Sequence, residues 1–365
     1  MTDKKALVSG RLPNIELLRI LTMIGVVILH INNPIMGNCL GYAQGSHLYP
    51  ILLYIECSFT CAVDIFVCIT GYFLSRKMSV QVKKPVLLII QVIFFRLLSC
   101  VVDGIMTGAF SKKDMVAALL PKNYFVIIYC ALYLLAPFIN KMTESLSSRK
   151  LFQLSALLFV LFSVIPSLLN AVSEFTSINT SGLDPVGAYG NGFGYTIVQF
   201  VLMYILGSYL RKAEDIKIRT GVLILGNIIF TALICLWGSL GPDLSASSSL
   251  SHNNPLVVLS AVSWFTVFRR LRIKSDKASG IINGLAKGAF TVFLCHTIFF
   301  RFIPFEAIVT RCGIFFTVVI FIVAAGIYIG AFVLYVLYSQ SVERIAKILI
   351  GRIRPLNDLV ISSEN

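Results

Sequence analysis

Ten mostly apolar stretches of 15 to 26 residues, parted by short polar turns, run through this chain: 14–33, 49–74, 86–107, 123–140, 151–170, 194–210, 220–240, 255–269, 286–304 and 313–338. A helix rises about 1.5 Å per residue, so roughly 20 apolar residues cross the ~30 Å hydrocarbon layer of a bilayer. Stretches of that length, repeated ten times, leave little choice of solvent. Of the 365 residues, 57% are hydrophobic and 13% are charged, whereas soluble chains average about 25% charged. The mean hydropathy is +0.86. The expectation is an all-α, polytopic integral membrane protein of about ten transmembrane helices, embedded in the lipid bilayer.

The net charge of +14 would suggest a nucleic-acid partner in a soluble chain. Here the placement of the charges decides. Twenty-three of the 31 Lys and Arg residues fall on one side if the first span starts in the cytoplasm, including Arg76, Lys77, Lys83 and Lys84 after the second span. Four fall on the other side: Lys112, Lys113, Lys122 and Arg311. Cytoplasmic loops carry the excess of positive charge in membrane proteins. Both termini are therefore expected in the cytoplasm, and the excess charge needs no nucleic acid to explain it. The reading is one membrane domain, 14–339, between a cytoplasmic segment 1–13 and a basic cytoplasmic tail 340–365. The first apolar run is too long for a signal peptide, and Asn32 and Asn33 stand where a small-residue cleavage site would be.

The nine cysteines lack zinc or disulfide spacing. Cys57, Cys61 and Cys68 share a helix face and read as packing residues. Cys39 and Cys312 fall on the outer side, and nothing in the sequence pairs them. No metal is expected.

Ionisable groups inside spans are costly and usually functional. In RILTMIGVVILHINN, residues 19–33, Arg19 and His30 are eleven residues apart. At 100° per residue this is three turns plus about 20°, so the two share a face about 16 Å apart along the axis. Arg19 reads as a phosphate contact or as an anchor snorkelling to the interface. His30 reads as a general base for a hydroxyl or as a hydrogen bond between helices. Glu16 lies one turn from Arg19 and can pair with it.

The second span holds VDIFVCITGYF. Asp64 there can orient a histidine or pair with an arginine, and Gly71, on the same face, permits close approach of a helix or ligand. Arg96 is deep in the third span and asks for a partner. Tyr129 and Tyr133 are neighbours on the fourth, where Pro137 is expected to break the helix near its inner end. His296 and Arg301 mark the ninth. His47 and His252 fall in outer loops and read as solvated. No nucleophile elbow, Gly-rich phosphate loop or zinc pattern is present.

Taken in order, these residues resemble the acyltransferase-3 family of integral membrane acyltransferases. The family's arginine, ten residues and histidine correspond to Arg19 through His30. Its Val-Asp-x-Phe-Phe-x-x-Ser-Gly pattern is similar to Val63, Asp64, Ile65, Phe66, Val67, Thr70 and Gly71, with Val67 and Thr70 as departures. VFLCHTIFF resembles its late Tyr-Leu-x-His segment. YCALYLLAPFINK and YTIVQFVLMYILGSYLRK resemble members from Gram-positive capsule and exopolysaccharide clusters. The family's basic pattern after the second span is reduced here to Lys83, Lys84 and Pro85.

The resemblance implies transfer of an acyl group, usually acetyl, from cytoplasmic acyl-CoA to a hydroxyl of an envelope glycan at the outer face, in the plasma membrane. With the residues read above, the candidate assignments are His30 and Asp64 as catalytic residues, Arg19 and Arg96 as contacts for the acetyl-CoA donor, and Glu16, Gly71, Tyr129, Tyr133, His296 and Arg301 as substrate-binding or supporting residues. The rival expectation is a proton-coupled transporter of a sugar or lipid-linked saccharide, with His30 and Asp64 as a relay. It calls for alternating access and repeat symmetry, and no repeat between halves is evident.

Overall fold

The computed structural model describes residues 11–187, 192–213, 217–241, 247–353 and 358–364. In chain order the helices are α1 Pro13–Asn32, α2 Cys39–Tyr42, α3 Tyr49–Phe59, α4 Ala62–Leu74, α5 Lys83–Thr107, α6 Lys112–Ala118, α7 Tyr124–Ser145, α8 Ser148–Phe159, α9 Ile165–Thr176, α10 Ile197–Lys212, α11 Thr220–Leu240, α12 Pro255–Arg270, α13 Asp276–Ala286, α14 Ala289–Phe300, α15 Phe305–Cys312, α16 Phe316–Gln340 and α17 Val342–Arg352. A π-helical turn, Val160–Val164, joins α8 to α9. The strands among the described residues are β1, Ser79–Gln81, and β2, Val360–Ser362, paired antiparallel.

Helices occupy every position where the sequence places a span. Seven of the helical stretches are long and apolar enough to cross a membrane, and α13 with α14, bent by 61°, make an eighth. The two expected spans that fall short of that length are α10 and α12, at 16 residues each. Sixteen residues make about 24 Å. Both are enclosed by neighbours: Leu202, Met203 and Tyr204 of α10 and Val257, Ala261 and Phe265 of α12 are fully buried. Helices lined by protein rather than lipid have no need to match the bilayer. Pro137 does not end its helix, since α7 continues to Ser145.

The surface is inverted relative to a soluble protein. Ile105, Val222, Leu225, Val318 and Ile322 are each more than half exposed, on the long helices that the core uses least. The chain is a multi-pass membrane protein.

α1 is the hub. Its Ile15 and Leu18 join a core formed by α4, α7, α10 and α12. Its Met23, Val26, Val27 and Ile31 join a second core with α14 and α16. The most extensive pairing is α4 with α10. Two glycines allow it: a Cβ on Gly71 would stand 2.1 Å from the Tyr204 carbonyl oxygen, and one on Gly207 2.2 Å from that of Cys68. Small residues let helix backbones approach in this way.

At the end of the bundle that carries most of the basic residues, side chains close the helix termini. Asn140 donates to the carbonyls of Leu74 and Lys77, at 2.9 and 2.8 Å, and accepts from the Tyr204 hydroxyl at 2.7 Å. Lys212 donates to Thr143, Glu144 and Leu146 at the end of α7. Arg269 donates to Leu210, and Asn14 to Phe268 and Arg269. The last carbonyls of a helix lack intrahelical partners and carry its negative dipole end; cations and amides satisfy both needs.

Residues 340–365, read from sequence as a tail, include structure of their own. α17 leans on α5 and α16, and β2 pairs with β1 in the register Ser79–Ser362, Val80–Ile361 and Gln81–Val360.

Candidate active site

His30, near the far end of α1, meets His296 on α14. His30 Nδ1 is 2.5 Å from His296 Nε2. The ring centres are 4.7 Å apart and the planes inclined by 11°. Subtracting the nitrogen separation leaves about one ring radius on each side, so the rings meet edge to edge in nearly one plane. That is hydrogen-bond geometry rather than face stacking.

The network assigns the tautomers. His296 Nδ1 lies 2.9 Å from the Val292 carbonyl, which can only accept, so Nδ1 carries the proton and Nε2 does not. His296 Nε2 then accepts from His30 Nδ1–H. The lone pair of His30 is left on Nε2, which has no hydrogen bond from any described residue. His296 is 2% exposed; His30 is partly open. The pair is an oriented base: one imidazole fixed in register by another, its second nitrogen left to accept a proton.

Beneath it, toward the basic end, lie two adjoining cavities of about 770 and 340 Å³. Arg19, Thr70, Gln91 and Tyr129 line both. The larger opens among Lys77, Lys83, Lys84 and Tyr133. The smaller runs up to Val26 and Phe293, each within one helical turn of a histidine of the pair. Gln91 donates to Thr291 at 2.7 Å across the wall. The buried Glu16 holds Arg19 in place, with Oε2 3.4 Å from Arg19 Nε and 3.6 Å from Arg11 Nη1.

Other candidates lie elsewhere. Asp64 is buried at the start of α4, and Gln199 of α10 donates to it at 3.1 Å; the same amide donates to the His252 carbonyl at 2.9 Å. The hydrogen-bonded partner of His30 is thus His296 rather than Asp64. Arg96 donates to the Lys122 and Ala117 carbonyls, both at 3.3 Å, and lines neither cavity. Arg301 forms a two-pronged pair with Asp103 and donates to Ser99 at 2.8 Å, tying α14 to α5. Cys57, Cys61 and Cys68 are buried, and all nine cysteines are free. Among the described residues, no three His, Cys, Asp or Glu side chains gather to hold a metal.

His47 is exposed, but His252 corrects the expectation of a solvated loop. It is 6% exposed, 4.8 Å from the Tyr195 ring, and its backbone N–H donates to Phe193. The polar loop folds back onto the bundle, with Ser163 and Ser167 donating to the Asn253 carbonyl. Burial pushes the His252 imidazole from 6.5 down to about 4, against a backbone hydrogen bond to Thr60 that raises it. A base held neutral stabilises the fold above its unfolded-state value and loses that contribution as pH falls from about 6.5 toward 4. Thermal unfolding in detergent is expected to show the wild type losing more stability than His252→Asn across that window. Equal losses would remove His252 as the cause.

The site is a two-histidine pair among apolar helices, with basic-mouthed cavities whose linings reach to within one turn of it. The family model described as an acyltransferase domain matches residues 12–336, and the chain belongs to this acyltransferase-3 family. It is a membrane acyltransferase. No curated protein and no solved structure matches the chain.

Proposed function

We propose that this protein is a plasma-membrane O-acetyltransferase, taking acetyl from cytoplasmic acetyl-CoA and delivering it to a hydroxyl of an envelope or capsular glycan at the outer face. One observation carries the reading: the cavity chain begins among lysines and Arg19 and ends one turn below an oriented histidine base. In this reading the basic end faces the cytoplasm, as the charge bias favours. The donor's phosphates rest near Arg19 and the lysines, and its pantetheine arm spans the roughly 16 Å of α1 between Arg19 and His30.

The step follows from the tautomers. His30 Nε2 takes the proton of the acceptor hydroxyl as its oxygen attacks the thioester carbonyl carbon. The carbon–sulfur bond breaks, the electron pair leaves with sulfur, and the thiolate takes the proton from His30. While charged, His30 keeps its Nδ1–H directed at His296 Nε2, a neutral acceptor that stabilises the imidazolium. Asp64 and Gln199 form a buried polar pair that ties α4 and α10 to the His252 loop, apart from the reacting atoms.

The test has two arms. Purified protein in nanodiscs is expected to bind acetyl-CoA and to hydrolyse it slowly without an acceptor. NMR of the host's envelope glycan with and without the gene is expected to show O-acetyl resonances that vanish with it. A protein indifferent to acetyl-CoA, with glycan esters unchanged, would return the transporter reading to first place.

A further inference from the structure

The matched family domain stops at residue 336, yet the cavity at the basic end does not. Its wall is completed by Glu343, Lys347, Ile350 and Gly351 of α17. The sequence builds this helix for the position. Ala346 and Ile350, one turn apart, are buried, and α17 rests on α5 and α16. Ile345, Ile348 and Leu349 are at least half exposed on the remaining side, the pattern of a helix lying along a membrane surface. Glu343 and Lys347 fall between these two faces, on the edge that meets the cavity.

The far end of the segment is also fixed. Strand β2 pairs with β1, which lies between Lys77 and Lys83 in the chain. The Val82 N–H donates to the Leu359 carbonyl and the Ser363 N–H to that of Met78. The two walls of the cavity mouth, one before α5 and one after α16, are thereby tied together by backbone hydrogen bonds. Five cations line this mouth, Arg19, Lys77, Lys83, Lys84 and Lys347, against two carboxylates, Glu343 in the wall and Glu16 behind Arg19. Such an excess of one sign in a concave site concentrates anions of the opposite sign.

We propose that the C-terminal segment is part of the donor site, and that Lys347 binds a phosphate of the donor's nucleotide end. This deepens the acetyl-CoA reading and rests on it. Lys347 pairs with Glu343 at 2.5 Å, and their side chains are 59% and 26% exposed. An incoming phosphate competes with Glu343 for the ammonium, so Glu343 weakens donor binding while it positions Lys347.

Opposite effects of the two neighbours separate a ligand contact from a helix brace. Coenzyme A binding to the full-length protein in detergent, by calorimetry, is the measurement. Lys347→Gln is expected to weaken binding about fivefold, the upper range for a solvent-exposed ion contact. Glu343→Gln is expected to tighten it. Lys141→Gln, at an exposed lysine of the same end that lines neither cavity, is expected to leave it unchanged. A simple i, i+4 brace would lose stability in both variants and leave affinity unmoved; that result, with wild-type binding intact, overturns the role of Lys347 alone. Failure of the wild type to bind coenzyme A overturns the donor reading and this inference with it.

Discussion

His30→Ala is expected to cut acyl transfer about a thousandfold, within the range a positioned general base contributes, while the protein still folds and binds coenzyme A. His30 is partly open and lies outside both cavities' linings, so its loss leaves the basic cavity mouth intact. His296 divides into informative variants. His296→Ala removes the acceptor for His30 Nδ1–H, freeing the ring to turn and take the wrong tautomer; a loss of about ten- to a hundredfold follows, most of it in kcat. His296→Gln keeps an acceptor oxygen near the same place and is expected to recover part of that loss. A steric role alone would make Gln and a similar-sized Leu equivalent. Glycan ester content in cells expressing each variant, corrected for protein level, is the measurement. Full activity in His30→Ala would sink the mechanism.

The second large effect is on stability. Gly71→Ala places a methyl 2.1 Å from the carbonyl oxygen of Tyr204. That neighbour is backbone, so α4 and α10 must separate. Forcing groups into a packed interior costs about 1–3 kcal/mol, and Gly71→Leu, with more to place, is expected to abolish folded protein. The damage spreads because Tyr204 also donates its hydroxyl to Asn140, which closes the end of α4. Gly226→Ala, at a glycine whose added Cβ meets nothing closer than 3.7 Å, is the control and should unfold near the wild-type temperature. Thermal unfolding followed by size-exclusion chromatography reads both. A Gly71→Leu protein that elutes as a monodisperse peak at wild-type yield would refute the close-crossing account.

How much of this was legible depended on the range over which each signal acts. Hydropathy and helical periodicity are local, and they mark α1, α5 and α16 and the shared face of Arg19 and His30. They carry no information on which helix faces which. His296 was recognisable as a histidine inside a span, but its bond to His30 joins residues 266 apart. Asp64 was recognisable as costly, while its partner Gln199 is 135 residues on and neutral, so charge pairing offered no hint. Arg301 carried a usable signal: Asp103 is an acid in an apolar span and the natural counter-ion. His252 was hidden by composition. Its flanks, SASSSLSHNN, read as solvent-facing because their serines and asparagines are polar, yet Ser248, Ser249 and Asn254 are buried with hydrogen bonds made within the fold. The strand pairing of residues 79–81 with 360–362 was likewise out of reach, since three-residue strands have no periodicity to detect.

The closure of helix ends by Lys212, Arg269 and Asn14 bears on how orientation in the bilayer can be engineered. The cations that would steer insertion are also mortar between helices. Transplanting them to the opposite loops would leave the carbonyls of Thr143, Glu144 and Leu210 without donors. An inverted protein obtained that way would fail for want of joints, whatever its direction. Orientation is better reversed by adding charge to the opposite loops than by removing it here, and a clean reversal would show that steering and masonry are separable in this bundle.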